Sequence, residues 1–323
     1  MNPKLQNILE IIQQSEKLDA EQRDALIKAV KEADKELEIT AFKLDRTEKV
    51  KKTTAILLEE TIEELEQKRK AVEEQATLIQ AENERKTKEL EEARQMQLAM
   101  LPEKLPQLEN LEIAVFMKTA TEVGGDYYDF SIKEDGSLNV AIGDATGHGL
   151  KAGIMVSAMK SIFTTNSTKM NIEEFFSTAN SGIKSMNLQR MMMGFTMLNI
   201  KNNTLRMLNA GMPPVFLHRN RSNTIEEIRE HGIPVGAMNQ SNYMVTQESL
   251  HKGDVLLLLT DGMPELQNNK NEMFGYQRLQ SSFQKAAEKM PQEIVEYLKN
   301  IALQWISNSD LEDDVTFVVI KVK

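Results

Sequence analysis

No glycine occurs in the first hundred residues of this chain, and the only proline there is Pro3; all 15 glycines and the other seven prolines follow. Glycine and proline are what interrupt helices, so a stretch this long without them is free to run as helix throughout. Charged residues, Gln, Ala and Leu dominate it, which are good helix formers. Pro102 and Pro106 in LPEKLPQLEN then stop the pattern. The break divides the chain into residues 1–100, a helical hairpin and coiled-coil segment for dimerisation and regulation, and residues 101–323, a second domain.

Within the first segment, Leu5, Ile8, Leu9 and Ile12 make one apolar face of a short helix. Asp19, with Gln22 three positions on, has the form of a capping box opening a second helix. From there Leu37, Leu44, Leu58, Leu65, Val72 and Ile79 recur at seven or fourteen residues, and Ala41, Ala55, Ile62, Ala76 and Leu90 fill the companion position. That is a heptad seam and predicts a coiled-coil homodimer. Glu48, Arg69, Asn83 and Gln97 interrupt one seam position, Lys51 and Lys86 the other, which predicts a marginal coil serving as stalk or as switch. A helix from Ala20 to Met100 spans on the order of 120 Å, and the first helix is expected to fold back on it.

The second half reads as α+β. Eight apolar or β-branched runs, from LEIAVFMKTA to VTFVVIKVK, have strand character, and two helical pairs interrupt them near Leu150–Thr165 with Ile172–Ser185 and Gly275–Ala287 with Pro291–Ile306. The net charge of −10 argues against a nucleic-acid partner. Cysteine is absent, which removes disulfides, thiolate zinc sites and cysteine nucleophiles and suits a cytoplasmic location. No run approaches a membrane span or a signal peptide.

Acidic residues punctuate this half where strands meet turns: Asp126 in VGGDYYDF, Asp144 in VAIGDATGHG, Asp261 in LLLLTDG, and Asp313–Asp314 in LEDDVTFVVI. Carboxylates at strand ends, with glycines that let backbone approach closely, are what a hard divalent cation requires. Each alone reads more naturally as a cap or turn residue; together they suggest a metal centre with room for two ions. Adjacent strand residues face opposite ways, so one of Asp313 and Asp314 points at a given ion; Asp313 is preferred, with Asp314 a turn or partner acid. Asp129 reads as a capping or surface acid and Glu265 as structural or peripheral. His148 sits in the turn beside Asp144, while His218, His231 and His251 look like surface or strand-end residues.

The ordered set EVGGDYYDF, GDATGHG, NAGMPP, GIPVG, GDVLLLLTDGMPE, FGYQRL and DDVTFVV resembles the bacterial PPM-type serine phosphatases, in their SpoIIE and RsbU-like branch, over about residues 95–323. The resemblance implies an αββα sandwich of two antiparallel sheets with two Mn²⁺ or Mg²⁺ ions between them. Carried over by motif, Asp144 bridges the ions, the Ala145 carbonyl ligates one, and Asp126, Asp261 and Asp313 complete the shell, with Asp126 and Asp144 catalytic. Gly125 and His148 fall where a turn or substrate contact is expected. The implied activity is hydrolysis of phosphoserine or phosphothreonine on a protein, in this branch commonly a STAS-type anti-sigma-factor antagonist. An upstream activator acting on the N-terminal helices is a further expectation. Met96, Leu98, Met100 and Leu101, in a run resembling the family's linker, are expected to pack on the domain's helical layer and carry a signal from the coil. The chain departs from the family at Met212, often histidine, and at Gly194-Phe195-Thr196, which bears on substrate contact or regulation. The alternative is a phosphatase fold serving as an inactive scaffold for a signalling partner.

Overall fold

The computed structural model describes residues 1–187, 191–229, 232–239, 241–307 and 311–323. They divide into two compact units, Met1–Asn83 and Glu84–Lys323. His231 lies outside the described residues.

In the first unit, α1 (Pro3–Gln14) is capped by Asn2 and turns back on α2 (Ala20–Met100). Asn2 N donates to Asp34 Oδ1 at 2.7 Å, and Arg23 Nη2 donates to the Ser15 carbonyl at 2.8 Å. Leu5, Leu9 and Ile12 are half-buried against α2, and Ile8 of the same set is exposed. Asp19 caps α2 as expected, accepting from Gln22 N at 2.8 Å. Pairs one helical turn apart, Asp45–Lys49, Glu64–Lys68 and Arg69–Glu73, add a few tenths of a kcal/mol each. The heptad residues Leu44, Leu58, Leu65, Val72 and Ile79 are each about 60 % exposed in the single chain.

The second unit is built on two five-stranded antiparallel sheets. One has β1 (Leu111–Lys118), β10 (Val315–Val322), β9 (Val255–Leu259), β6 (Val215–Arg219) and β7 (Thr224–Ile228) in that order; the other has β2 (Asp126–Ile132), β3 (Leu138–Ala145), β4 (Met193–Lys201), β5 (Thr204–Ala210) and β8 (Thr246–Ser249). Val140, Ile142, Leu198, Leu217, Leu256, Leu258, Val318 and Ile320 fill the space between the sheets. Alternate residues of the same strands face outward and bury helices. Ala141, Phe195 and Met197 pack on α3 (Leu150–Asn166) and α4 (Ile172–Ser185). Leu257, Phe317 and Val319 pack on α6 (Gly275–Ala286) and α7 (Pro291–Trp305). A short α5 (Gly262–Glu265) follows β9. The layer order is the expected αββα.

The expected helices agree within a residue or two. β7 is additional: its sequence, TIEEI, alternates weakly because it lies at a sheet edge, where charged side chains face water. β8 is four residues, shorter than the expected YMVTQESL strand. Among the described residues no helix is long and apolar enough to cross a membrane.

Candidate active site

Asp126 and Asp144 are paired across β2 and β3, so register alone sets them side by side. Asp126 is 1 % exposed. Its Oδ2 accepts from Thr260 Oγ1 at 2.9 Å and Thr316 Oγ1 at 2.6 Å, hydroxyls that reach it from the ends of β9 and β10 in the facing sheet. Thr260 and Thr316 are themselves locked together, since Thr260 N donates to the Thr316 carbonyl at 3.0 Å and Thr316 N to Thr260 Oγ1 at 3.1 Å. Burial, then the charge of Asp144, pushes the Asp126 carboxyl well above the usual range, and the two hydroxyls pull it partly back.

The Asp144 carboxyl is pushed up to about 8, first by burial and then by Asp261, Asp313, Asp314 and Glu265. Asp261 and Asp313 are also raised, chiefly by burial, and Asp313 feels both Asp261 and Asp314. The acids thus face one another across the end of the sandwich. Asp144 is not the cap of α3: that place belongs to Gly149, with φ of 74°, and Gly147 before it has φ of 86°. Asp261 begins α5 without a side-chain capping bond.

Asp313 and Asp314 are used differently. Asp314 is buried, its Oδ1 accepting from Ala120 N at 2.7 Å and its Oδ2 from Gly125 N at 2.6 Å and Asp126 N at 3.3 Å. Asp313 is the more open of the two, with its carboxyl only partly withdrawn from water, and accepts from Asp314 N at 2.8 Å. The turn before Asp126 is therefore hung on Asp314. Gly125 is needed for closeness, since a Cβ there meets the Ala145 carbonyl oxygen at 2.8 Å and Asp144 Oδ1 at 3.1 Å. His148 is exposed, and as an imidazolium it would lower the Asp313 carboxyl.

The donor set is all oxygen, from carboxylates and the Ala145 carbonyl, and suits a hard cation such as Mg²⁺ or Mn²⁺. Among the described residues no three Asp, Glu or His side chains already form a ligand cluster for one ion. The acids lie close enough to raise one another's proton affinity, and a cation drawing them inward relieves both burial and repulsion. That chemistry fits the residues present.

Several expectations change. Met96 and Leu98 are exposed, at 67 % and 39 %, while Leu101 packs on the α3–α4 layer and Met100 is half-buried. The residue of this stretch that reaches the site is Gln97, 5 % exposed. Its Nε2 donates to the Gly124 carbonyl at 2.7 Å and its Oε1 accepts from Gly124 N at 3.0 Å. Asp129 is buried rather than on the surface, accepting from Tyr127 Oη at 2.7 Å and Lys160 Nζ at 2.8 Å. His218 is likewise buried, within β6, with Nε2 2.9 Å from Asn223 Oδ1. Glu265 is exposed at the end of α5; partial desolvation, then the nearby charges of Asp261 and Asp313, raise its carboxyl. Thr260 carries a local hint, a hydroxyl at a strand end next to Asp261, and Thr316 a weaker one two residues past Asp314; Gln97 carries none, since its partner lies 27 residues away.

Two facing antiparallel sheets flanked by helices, with acids gathered at one end, define a PP2C-like fold. The chain belongs to the family of the stage II sporulation protein E (SpoIIE), a PPM-type phosphatase family, whose model matches residues 134–323. It is 27 % identical over 239 residues to the phosphoserine phosphatase RsbU of Bacillus subtilis, covering 73 % of this chain and 70 % of that one. To Protein IcfG of Synechocystis sp. it is 26 % identical, spanning 72 % of this chain and 41 % of the relative. Among solved structures, the SiaA-PP2C domain of Pseudomonas aeruginosa superposes with a TM-score of 0.66 at 16 % identity, over 75 % of this chain and 98 % of that one. The catalytic domain of the serine/threonine protein phosphatase PstP in complex with two manganese ions gives 0.52 at 15 % identity, over 66 % and 98 %.

Proposed function

We propose that this chain is a cytoplasmic, metal-dependent phosphoserine phosphatase that acts on a regulatory protein, a STAS-type anti-sigma-factor antagonist, under control of its N-terminal coil. The observation that carries the reading is the group Asp126, Asp144, Asp261 and Asp313. Each carboxyl is raised above its ordinary value, three of the four beside a like charge. Such a group is costly to ionise without a cation and is tolerated where a cation is the purpose.

Asp144, with the Ala145 carbonyl, Asp126, Asp261 and Asp313, would hold two divalent cations, Mn²⁺ or Mg²⁺; the manganese pair in PstP supports that count. Bound ions supply Lewis-acid chemistry, lowering the pKa of a water and neutralising phosphoryl oxygens in an in-line displacement. Thr260 and Thr316 occupy Oδ2 of Asp126, so Oδ1 would be the oxygen offered to a cation. Asp314 fixes the Gly125 turn, and with its oxygens spent on backbone N–H groups it leaves Asp313 as the ligand. The similarity to RsbU supports phosphoserine as the substrate group.

Control by the coil acts through Gln97. Rotation or withdrawal of this part of α2 removes the amide from both backbone groups of Gly124, next to Gly125 and Asp126. Dimerisation through the exposed heptad residues, with an activator protein on the N-terminal helices, supplies the input.

The test is release of phosphate from a phosphoserine protein by the full chain with Mn²⁺ or Mg²⁺. Activity with metal, lost with chelator and in Asp144→Asn with circular dichroism unchanged, is expected. No turnover of any phosphorylated STAS protein or small phosphomonoester with either ion overturns the reading and leaves the scaffold alternative.

A further inference from the structure

A cleft of about 300 Å³ adjoins the acids, with Asp261 and Glu265 on its wall. Its far wall is the β5–β6 turn, which is built rigidly. Asn209, 2 % exposed, ties that turn from beneath: Oδ1 accepts from Met212 N at 2.9 Å, and Nδ2 donates to the carbonyls of Met212 at 3.1 Å and Pro213 at 2.9 Å. Gly211 has φ of 82°, and a Cβ on it falls 2.5 Å from Pro234 Cγ, so the turn is wedged as well as tied. Met212 and Pro213 thus present a fixed apolar face to the cleft.

The opposite side is polar. Tyr276, in the first turn of α6, lies within the fields of Asp261, Glu265 and Arg229 together, which sets phenol, carboxylates and guanidinium around one space. Among the described residues Arg229 is the only basic one lining the cleft. Its Nε donates to Glu227 Oε2 at 2.6 Å, and Nη2 pairs with the same oxygen. One edge of the fork is thereby anchored, on a side chain that stays open to solvent. In a chain of net charge −10, a guanidinium beside the centre favours the approach of an anionic substrate.

Resting on the phosphatase reading above, we propose that this cleft is the groove that takes the polypeptide beside the phosphoserine. Met212 and Pro213 seat an apolar side chain, and Arg229 binds an anionic oxygen group of the substrate, either the phosphoryl group or a carboxylate flanking it. Arg229 sets specificity and the metal acids set the chemistry, so the two separate experimentally.

The experiment uses the full chain with Mn²⁺ and compares wild type, Arg229→Ala and Arg229→Lys. The substrates are p-nitrophenyl phosphate and two phosphoserine peptides, one with an acidic flanking residue and one with alanine there. Loss of one charge-assisted contact predicts about a tenfold rise in KM for the acidic peptide in Arg229→Ala, with kcat within about twofold, and partial recovery in Arg229→Lys. A rise confined to the acidic peptide assigns Arg229 to a flanking carboxylate; a parallel rise for all three substrates assigns it to the phosphoryl group. Equal KM in wild type and Arg229→Ala on every substrate overturns the groove. Fluorescence anisotropy of the acidic phosphopeptide reads the groove without turnover: weaker binding by Arg229→Ala supports it even if wild type is inactive, which defeats the phosphatase reading alone. Equal affinity of the two proteins overturns it.

Discussion

Replacing Asp144 by Asn should make the metal-free protein more stable while abolishing its activity, and the gain should grow with pH. Asp144 has an ordinary carboxyl value of 3.8 and is raised in the fold to about 8. A raised folded value means that the native state binds the proton more tightly than the unfolded chain. The stability this confers is full below the unfolded value and is lost as pH rises toward the folded one. At about 1.4 kcal/mol per unit, ionisation of Asp144 in the unfolded chain costs the native state up to about 1.7 kcal/mol at pH 5 and about 5 kcal/mol at pH 8. Part of this is shared with Asp261, Asp313, Asp314 and Glu265, whose charges raise it. Half the ceiling, ~2–3 kcal/mol at pH 8, is a fair expectation for Asn, which matches the shape and carries no charge. For a unit of this size that is roughly 5–10 °C in Tm, against 1–3 °C at pH 5. Differential scanning fluorimetry in chelator, over pH 5–8.5, reads it. Mn²⁺ should restore the wild type at pH 8 and do little for Asp144→Asn. A variant stabilised equally at both pH values, or destabilised at pH 8, refutes the like-charge account of the site.

Thr316→Val keeps the shape of the side chain but removes the 2.6 Å bond to Asp126, and should cost about 1–3 kcal/mol and weaken stabilisation by Mn²⁺ in the same fluorimetry. Gly262→Ala places a Cβ 1.8 Å from the Asp314 carbonyl oxygen, a backbone atom that cannot swing aside; the expected result is insoluble protein or a loss of more than about 3 kcal/mol by urea denaturation. Leu58→Lys with Leu65→Lys charges two exposed heptad positions and should shift the chain from dimer to monomer in light scattering while leaving the metal-free Tm of the phosphatase unit unchanged. Gln97→Ala should raise amide exchange at Gly124, which loses its side-chain acceptor, and lower activity through kcat rather than KM.

Much of this molecule is written locally. The glycine-free hundred residues specify helix because each residue's own preference suffices, and α2 runs Ala20–Met100 accordingly. The apolar runs specify buried strands, and Asp144 and Asp261 follow two of them while Asp126 opens another, so these acids stand out at strand ends in the sequence, though each alone reads as a cap or turn residue. The choice between Asp313 and Asp314 was not legible, because alternation along a strand says that they differ and not which faces where. It turns on the amides of Ala120, Gly125 and Asp126, nearly two hundred residues away, which Asp314 collects. Gln97 looked like one more polar flaw in a heptad seam; its burial depends on a partner that the seam does not contain. Asp129 and His218 looked exposed for the same reason, their partners coming from another element or the far side of a turn. What the sequence determined was most of the elements, the edge strand β7 excepted, and the acids at their tips, since short-range preference and burial periodicity act along the chain. Only the tertiary structure decided which acid is spent on backbone, which hydroxyls orient Asp126, and that Arg229 and Met212 share a cleft with Asp261, because hydrogen bonding and charge act through space.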